Sequence, residues 1–368
     1  MRIVTSKADL VEALGIVGRA VSTRSSIQVL TGVLVEAEGA GITLTATDME
    51  ISVRAPLRGV VEATGAAVLP ARILAEIAKT LSPREVTLER KAGEQQVDLS
   101  CGEALFSLRI LPAEDFPRLP LFPIEEGFTV AKESFLATVD RVAASASRDE
   151  TRPVLMGVLV QVAKNVVRMV ATDSYRLSVK ETPVEASVKE KIQAIVPARC
   201  LTELSRVAAG VAADSITVVP THNQILFQAG EVLIISRLID GQFPNHKQLI
   251  PENFESEAIA DREEFMESLK RVSLLAPKSA PVRLQFEGNT LTISAQSQDV
   301  GAARESMPVQ YQGEPLEIGF NPDFLLAGAA GVEEEDLHMR FISPLRPGLL
   351  RGQADDFLYL IMPIRLGE

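Results

Sequence analysis

Three stretches of this chain carry large apolar residues at the same helical steps: SKADLVEALGIV from residue 6, AKESFLATVDRV from 131 and DREEFMESLKRV from 261. Leu10, Leu14 and Val17 mark the first, Phe135, Val139 and Val142 the second, and Phe265, Leu269 and Val272 the third. Spacing i, i+4, i+7 makes one buried stripe on an amphipathic helix. Ser6 with Asp9, and Asp261 with Glu264, fit capping pairs that satisfy free amides of a first turn. A second helix follows in each copy: VLPARILAEI (68–77), IVPARCLTEL (195–204) and, more weakly, IGFNPDFLLAG (318–328). Pro70 and Pro197 stand where a strand gives way to that helix, since a first turn has no amide partner to lose. Runs of β-like alternation lie between the helices, and Pro-rich turns fall near residues 121 and 252. A chain repeated this way predicts three α+β domains of one fold, at 1–120, 121–251 and 252–368.

The repeat extends to words. Residues 46–53 read ATDMEISV and residues 171–179 read ATDSYRLSV, while the third copy, TISAQSQDVGAA, has lost the triplet. A catalytic aspartate needed in each copy would not vanish from one. Asp48 and Asp173 are therefore expected to organise a turn at a strand end, where a short carboxylate bonds nearby amides.

Chemistry-bearing motifs are sparse. No G-x-x-x-x-G-K-[ST] loop, G-x-G-x-x-G turn or G-x-S-x-G elbow occurs, and His222, His246 and His338 are scattered without metal-ligand spacing. The run VEEEDL (332–337) reads as a solvated acidic turn. Neither a metal nor a cofactor is expected. Cys101 and Cys200 lie too far apart for a metal motif and suit a reducing compartment. With no signal-peptide pattern and no apolar run of about 18 residues, the cytoplasm is expected rather than a membrane.

Net charge is −12, but it divides as −2 over 1–120, 0 over 121–251 and −10 over 252–368. Overall acidity disfavours nucleic acid without excluding a local basic face. Helices and their flanks carry Lys7, Arg19, Arg24, Arg72, Lys79, Lys132, Arg141, Arg148, Arg152, Arg199, Arg206, Lys270, Arg271 and Lys278. These are ordinary balanced helix faces, or, if the helices share one centre, a basic lining inside an acidic body. A threefold repeat without catalytic motifs favours a scaffold. A repeat-built nucleotide- or DNA-processing enzyme with an unrecognised carboxylate site is the alternative.

LPAEDFPRLP (111–120), LIDGQFPNHKQLIP (238–251), the ATD pair and the ending LIMPIRL (360–366), in this order, resemble the bacterial DNA polymerase III beta subunit, the sliding-clamp family. The resemblance covers essentially the whole chain. It implies a head-to-tail homodimer, six like domains closing a ring around double-stranded DNA, helices inward and sheets outward, with no catalysis. It implies phosphate contacts from Arg24, Arg72, Lys79, Arg148, Arg152, Arg199, Arg206 and Lys278, and a dimer interface at Phe106, Leu108, Leu274 and Leu275. Between domains 2 and 3 it implies a slot for a linear peptide carried by the polymerase catalytic subunit, the clamp loader, other polymerases and repair proteins. Its lining would be Leu155, Thr172, Ser174, Tyr175, Arg176, Leu177, Pro244, Gln248 and Leu249. Leu345, Pro347, Leu360, Ile361, Met362, Pro363, Ile364, Arg365 and Leu366 would complete it. Ser174-Tyr175 stand where members often have Gly-His, Gln248 stands where a basic residue is common, Pro153 replaces a residue type that can touch DNA in relatives, and Gly367-Glu368 extend past the usual end.

Overall fold

The expected stripes form six α-helices among the described residues: α1 (Lys7–Val17), α2 (Ala71–Thr80), α3 (Lys132–Ala143), α4 (Ala198–Ala208), α5 (Arg262–Ser273) and α6 (Pro322–Gly331). The structure is a computed structural model that describes residues 1–366 apart from Arg24, Leu121, 277–279 and Asp355, and the backbone alone at 185–190. Leu10, Leu14 and Val17 are buried, as are Phe135, Val139 and Val142, and Phe265, Leu269 and Val272. Ser6 and Asp261 accept the amides of Asp9 and Glu264 as the capping pattern requires. Pro70 is the N-cap of α2, and the same place before α6 is taken by Asn321, whose side chain accepts from the Asp323 and Phe324 amides. No helix among the described residues is long and apolar enough to cross a membrane.

The chain divides into two compact units, 1–133 with 202–238, and 134–201 with 239–368. The middle third is shared between them because each of its two half-sheets is completed by another third of the chain. In the first unit an eight-stranded sheet runs Phe128–Ala131, Ser215–Pro220, Gln224–Ala229, Val232–Arg237, Ile51–Pro56, Gly41–Thr47, Gly32–Glu38, Gly65–Pro70. Its joint is antiparallel, with Ile235 opposite Ser52 and Leu233 opposite Arg54. In the second unit a seven-stranded sheet runs Gly157–Thr172, Arg176–Pro197, Phe357–Ile361, Gly348–Arg351, Asp336–Phe341, Ser256–Asp261, Gln310–Gln312. There Leu360 opposes Leu177 and Leu358 opposes Val179. The joints are the same construction.

Two halves are left over. A five-stranded sheet in the first unit ends at Ala104–Arg109, and a four-stranded sheet in the second begins at Gly301–Pro308. Each has an outer edge that pairs with nothing among the described residues. The core of the last third packs α5 and α6 on these strands, with Phe265, Phe286, Phe320, Phe341 and Tyr359 at 1% exposure or less. Complete burial of side chains this size contributes roughly 2–3 kcal/mol each. VEEEDL is also tied down: Glu333 pairs with Arg141, and the Glu334 carboxylate accepts the Ala354 amide at 2.9 Å.

Candidate functional site

The ATD segments are turns, as expected, and the two are alike atom for atom. Asp48 Oδ1 accepts the amides of Glu50 and Ile51 at 3.0 and 2.8 Å, and Asp173 Oδ1 accepts those of Tyr175 and Arg176 at 2.9 and 3.0 Å. Thr47 and Thr172 each accept the amide two residues on and donate to the carbonyl four residues on. Met49 and Ser174 take the left-handed conformation, at φ 77° and 82°. In the third copy Ser297 accepts the Asp299 amide and keeps part of the motif. Ser52 therefore corresponds to Leu177, each facing the threonine that opens its turn. The matching letters ISV and LSV are one residue out of register. Asp48→Ala removes an acceptor shared by two amides and is expected to cost about 2 kcal/mol, read as a lower urea midpoint.

Strand parity builds the slot. Leu177 and Leu360, direct cross-strand neighbours, lie in one buried apolar cluster with Leu159, Val170, Ile195 and Leu349. Val154, Val179, Ile239, Phe243, Ile250, Phe254 and Leu358 pack against it half-buried. Arg340 sets its guanidinium 6.0 Å from the Phe254 ring centre and donates to Glu257, which also bonds His338. Of the other expected lining residues, Tyr175 (63% exposed), Leu249 (53%), Leu345 (60%) and Met362 (43%) are open to water. Pro244, Gln248 and Ser174 are exposed too, and Pro347 is half-buried. Beside them His246 is buried, its ring pushed toward the neutral form by desolvation and then by Arg168 and Lys247.

Several expected lining residues also have structural roles. Ile361 faces away from the slot, fully buried with Phe341 and Tyr359 in the last third's own core, because neighbouring strand residues point to opposite faces. Thr172 is buried as a turn former, and Leu155 is buried with its carbonyl on the Ser147 amide. Arg176 is a brace, with its guanidinium on Asp173 (2.9 Å) and Ala144 O (2.5 Å) and 4.3 Å from the Phe324 ring centre. Beyond Met362 the tail leaves the joint: Ile364 N–H donates to Gly319 O, Leu366 packs on Gly319, Pro363 is half-buried and Arg365 exposed. Val170, Val179, Phe243, Ile250, Phe254, Leu349 and Leu358 went unread in the sequence, although the alternation of Leu358 and Leu360 with Phe357, Tyr359 and Ile361 was a usable sign.

The expected phosphate contacts separate into two kinds. Arg72 is paired with Glu76, Arg206 with Glu203 (which also holds Arg19), and Arg152 with Asp149 and the Ser174 hydroxyl. Lys79 and Arg148 are exposed, and Arg199, exposed as well, belongs with the partnered group. Arg24 and Lys278 lie outside the described residues. Of the interface residues, Leu274 is 82% exposed just past α5, and Leu275 and Phe106 are half-buried. Leu108 is already buried within its own protomer, whereas its neighbour Leu105, which alternation turns outward, is 66% exposed.

Three like α+β domains, joined by sheets that each domain completes for its neighbour, define a clamp fold. Residues 1–120, 129–245 and 247–365 match the N-terminal, central and C-terminal domains of the DNA polymerase III beta subunit. The beta sliding clamp of Streptomyces coelicolor is 34% identical over 100% of both chains, and that of Bacillus subtilis 30% identical over 99% of this chain and 100% of its own. Among solved structures, the Bacillus subtilis DNA polymerase sliding clamp superposes with a TM-score of 0.94 at 30% identity, covering 100% of both chains. The Pseudomonas aeruginosa sliding clamp bound to griselimycin does so at 0.91 and 28%, also over 100% of both. This chain belongs to the DNA polymerase III beta subunit family.

Proposed function

We propose that this chain is a sliding clamp. Two copies join head to tail around double-stranded DNA, without reading its sequence, and tether the replicative polymerase and other partners through short linear peptides. The observation that carries this reading is the pair of leftover half-sheets. Ala104–Arg109 corresponds to Val232–Arg237, and Gly301–Pro308 to Ile51–Pro56, so a second copy supplies the match each edge lacks. The register of the internal joint, carried over, sets Ser107 opposite Gly301 and Leu105 opposite Ala303. Closure removes both exposed edges, which are otherwise a template for aggregation. Domains 1–120, 121–251 and 252–368 repeat this unit three times per chain, six times per ring.

The DNA contacts supported best are Lys79 and Arg148, with Arg199 and the paired Arg72, Arg152 and Arg206 able to exchange their present partners for phosphate. Contacts made only to phosphates hold a duplex while leaving it free to slide. The slot around Leu177 and Leu360, an apolar floor with a polar rim, suits an extended peptide with large anchors. Its carriers are the polymerase III catalytic subunit, the clamp loader and other polymerases and repair proteins. The role is tethering rather than turnover, and the compartment is the cytoplasm.

Retention on DNA tests the reading. The protein should stay on nicked circular plasmid and run off after linearisation; equal loss from both would refute encirclement. Lys79→Ala and Arg148→Ala should each flatten the dependence of log K on log salt by about 0.9. Arg283→Ala, on the four-stranded sheet where Arg283 pairs with Glu317, should leave that slope unchanged.

A further inference from the structure

The joint that carries the slot in the second unit has a positional twin in the first, and the twin differs at three places. Leu349, Leu358 and Leu360 correspond in register to Leu226, Leu233 and Ile235, which pack together with Val219 under Leu119 and Phe122. Leu159 and Ile195 correspond to Leu34 and Val68, which pack with Val29, Leu30 and Phe116. The chain crosses both sites alike, since Leu111 N–H bonds Val68 O as Ile239 N–H bonds Ile195 O. In the second unit the two apolar patches fuse into one cluster, bridged by Val170, Leu177 and Val179. In the first unit the bridging positions hold Thr45, Ser52 and Arg54, and the patches remain two clusters. Ser52 Oγ is bonded to Thr47 Oγ1 at 2.7 Å, and Arg54 is exposed. A cleft of about 100 Å³ persists at the twin, lined by Ser52 and Ile235, by Glu50 and Arg237, and by Arg118 and Leu119 of the linker.

We propose that the first joint is a silent copy of the peptide slot: Val170, Leu177 and Val179 confer peptide binding on one joint, and Thr45, Ser52 and Arg54 withhold it from the other. This rests on the slot reading above. An extended peptide needs continuous apolar floor for two anchors, and a hydroxyl pair with an arginine in mid-floor leaves the anchors in separate, smaller patches. The chain's own Leu119 and Phe122 pack on the first joint's patch, as Ile250 and Phe254 pack on the second. Each chain therefore takes one partner peptide although it contains the architecture for two.

The test exchanges the bridges and counts bound peptide, using a fluorescein-labelled hexapeptide that bears one Gln, one Leu and one Phe, with the full-length dimer. Wild type should bind one per chain. Thr45→Val/Ser52→Leu/Arg54→Val should bind two, and adding Leu119→Ala/Phe122→Ala should tighten the second site. Val170→Thr/Val179→Arg, which leaves Leu177 in place, should weaken the single site at least tenfold with circular dichroism unchanged. A wild type that binds no peptide, or a Leu177→Ala variant that binds normally, refutes the slot itself. A wild type that binds two refutes silence. Normal binding by Val170→Thr/Val179→Arg beside a weakened Leu177→Ala leaves the slot standing and overturns the bridge. That arm decides even if the triple exchange does not fold; a folded triple variant still at one per chain also overturns the proposal.

Discussion

A chain carrying Leu274→Ala and Leu275→Ala is expected to elute as a folded monomer of 39.8 kDa, where the dimer proposed for the wild type is expected at twice that mass. Leu274 follows the last turn of α5 with 82% of its surface open to water, an unusual position for a leucine unless something covers it. Leu275 is half-buried beside it. Burying a leucine contributes about 1.5–3 kcal/mol, so losing two costs the interface about 3–6 kcal/mol, or roughly two to four decades in Kd. The protomer loses little, because these side chains contribute little to its own core. Light scattering at low micromolar concentration reads the outcome. A double variant that stays dimeric at nanomolar concentration would place the interface elsewhere.

Arg176→Ala is expected to lower the stability of the second unit by about 3 kcal/mol and to weaken peptide binding about tenfold. Arg176 and Asp173 expose only 13% of their side chains, and the guanidinium also holds the Ala144 carbonyl and covers Phe324. Its removal strands a nearly buried carboxylate, which costs about 3–5 kcal/mol in comparable sites, partly relieved by water entering at the turn. The binding loss follows from connectivity, since Leu177 is the next residue and its cross-strand partner Leu360 sits one residue from the Arg176–Ile361 pair. Adding Asp173→Asn should recover part of the stability, because the stranded charge is then gone. A urea midpoint for Arg176→Ala within experimental error of wild type would mean the pair is solvated and does not brace the turn.

Much of this fold was legible because its signals are local. The stripes through Leu10, Phe135 and Phe265 need only a 3.6-residue period, and the caps at Ser6 and Asp261 only three residues of context. The turns at Asp48 and Asp173 were readable for the same reason. Sheet joints are not local: Ile235 finds Ser52, and Leu360 finds Leu177, across nearly 200 residues. The one-residue offset between ISV and LSV shows the difficulty, since similar letters occupy different register positions and only pairing reveals it. Ile361 shows a related difficulty. Strand period states that Leu360 and Ile361 point apart, but which of them faces the slot depends on what packs on each side.

The division of the middle third has a consequence for how such a chain can be cut. By family match, residues 129–245 are a module, the central one of three domains. By cohesion they are not, because strands 128–131 and 215–237 belong to one body and strands 157–197 to another. Excised, that fragment would present two raw strand edges, at 233–236 and 176–180, where the intact chain has continuous hydrogen bonding. Inheritance and mechanical integrity follow different borders here. A gene duplication can copy the unit only if the neighbours that heal its margins are copied too, which ties the number of repeats to closing the circle.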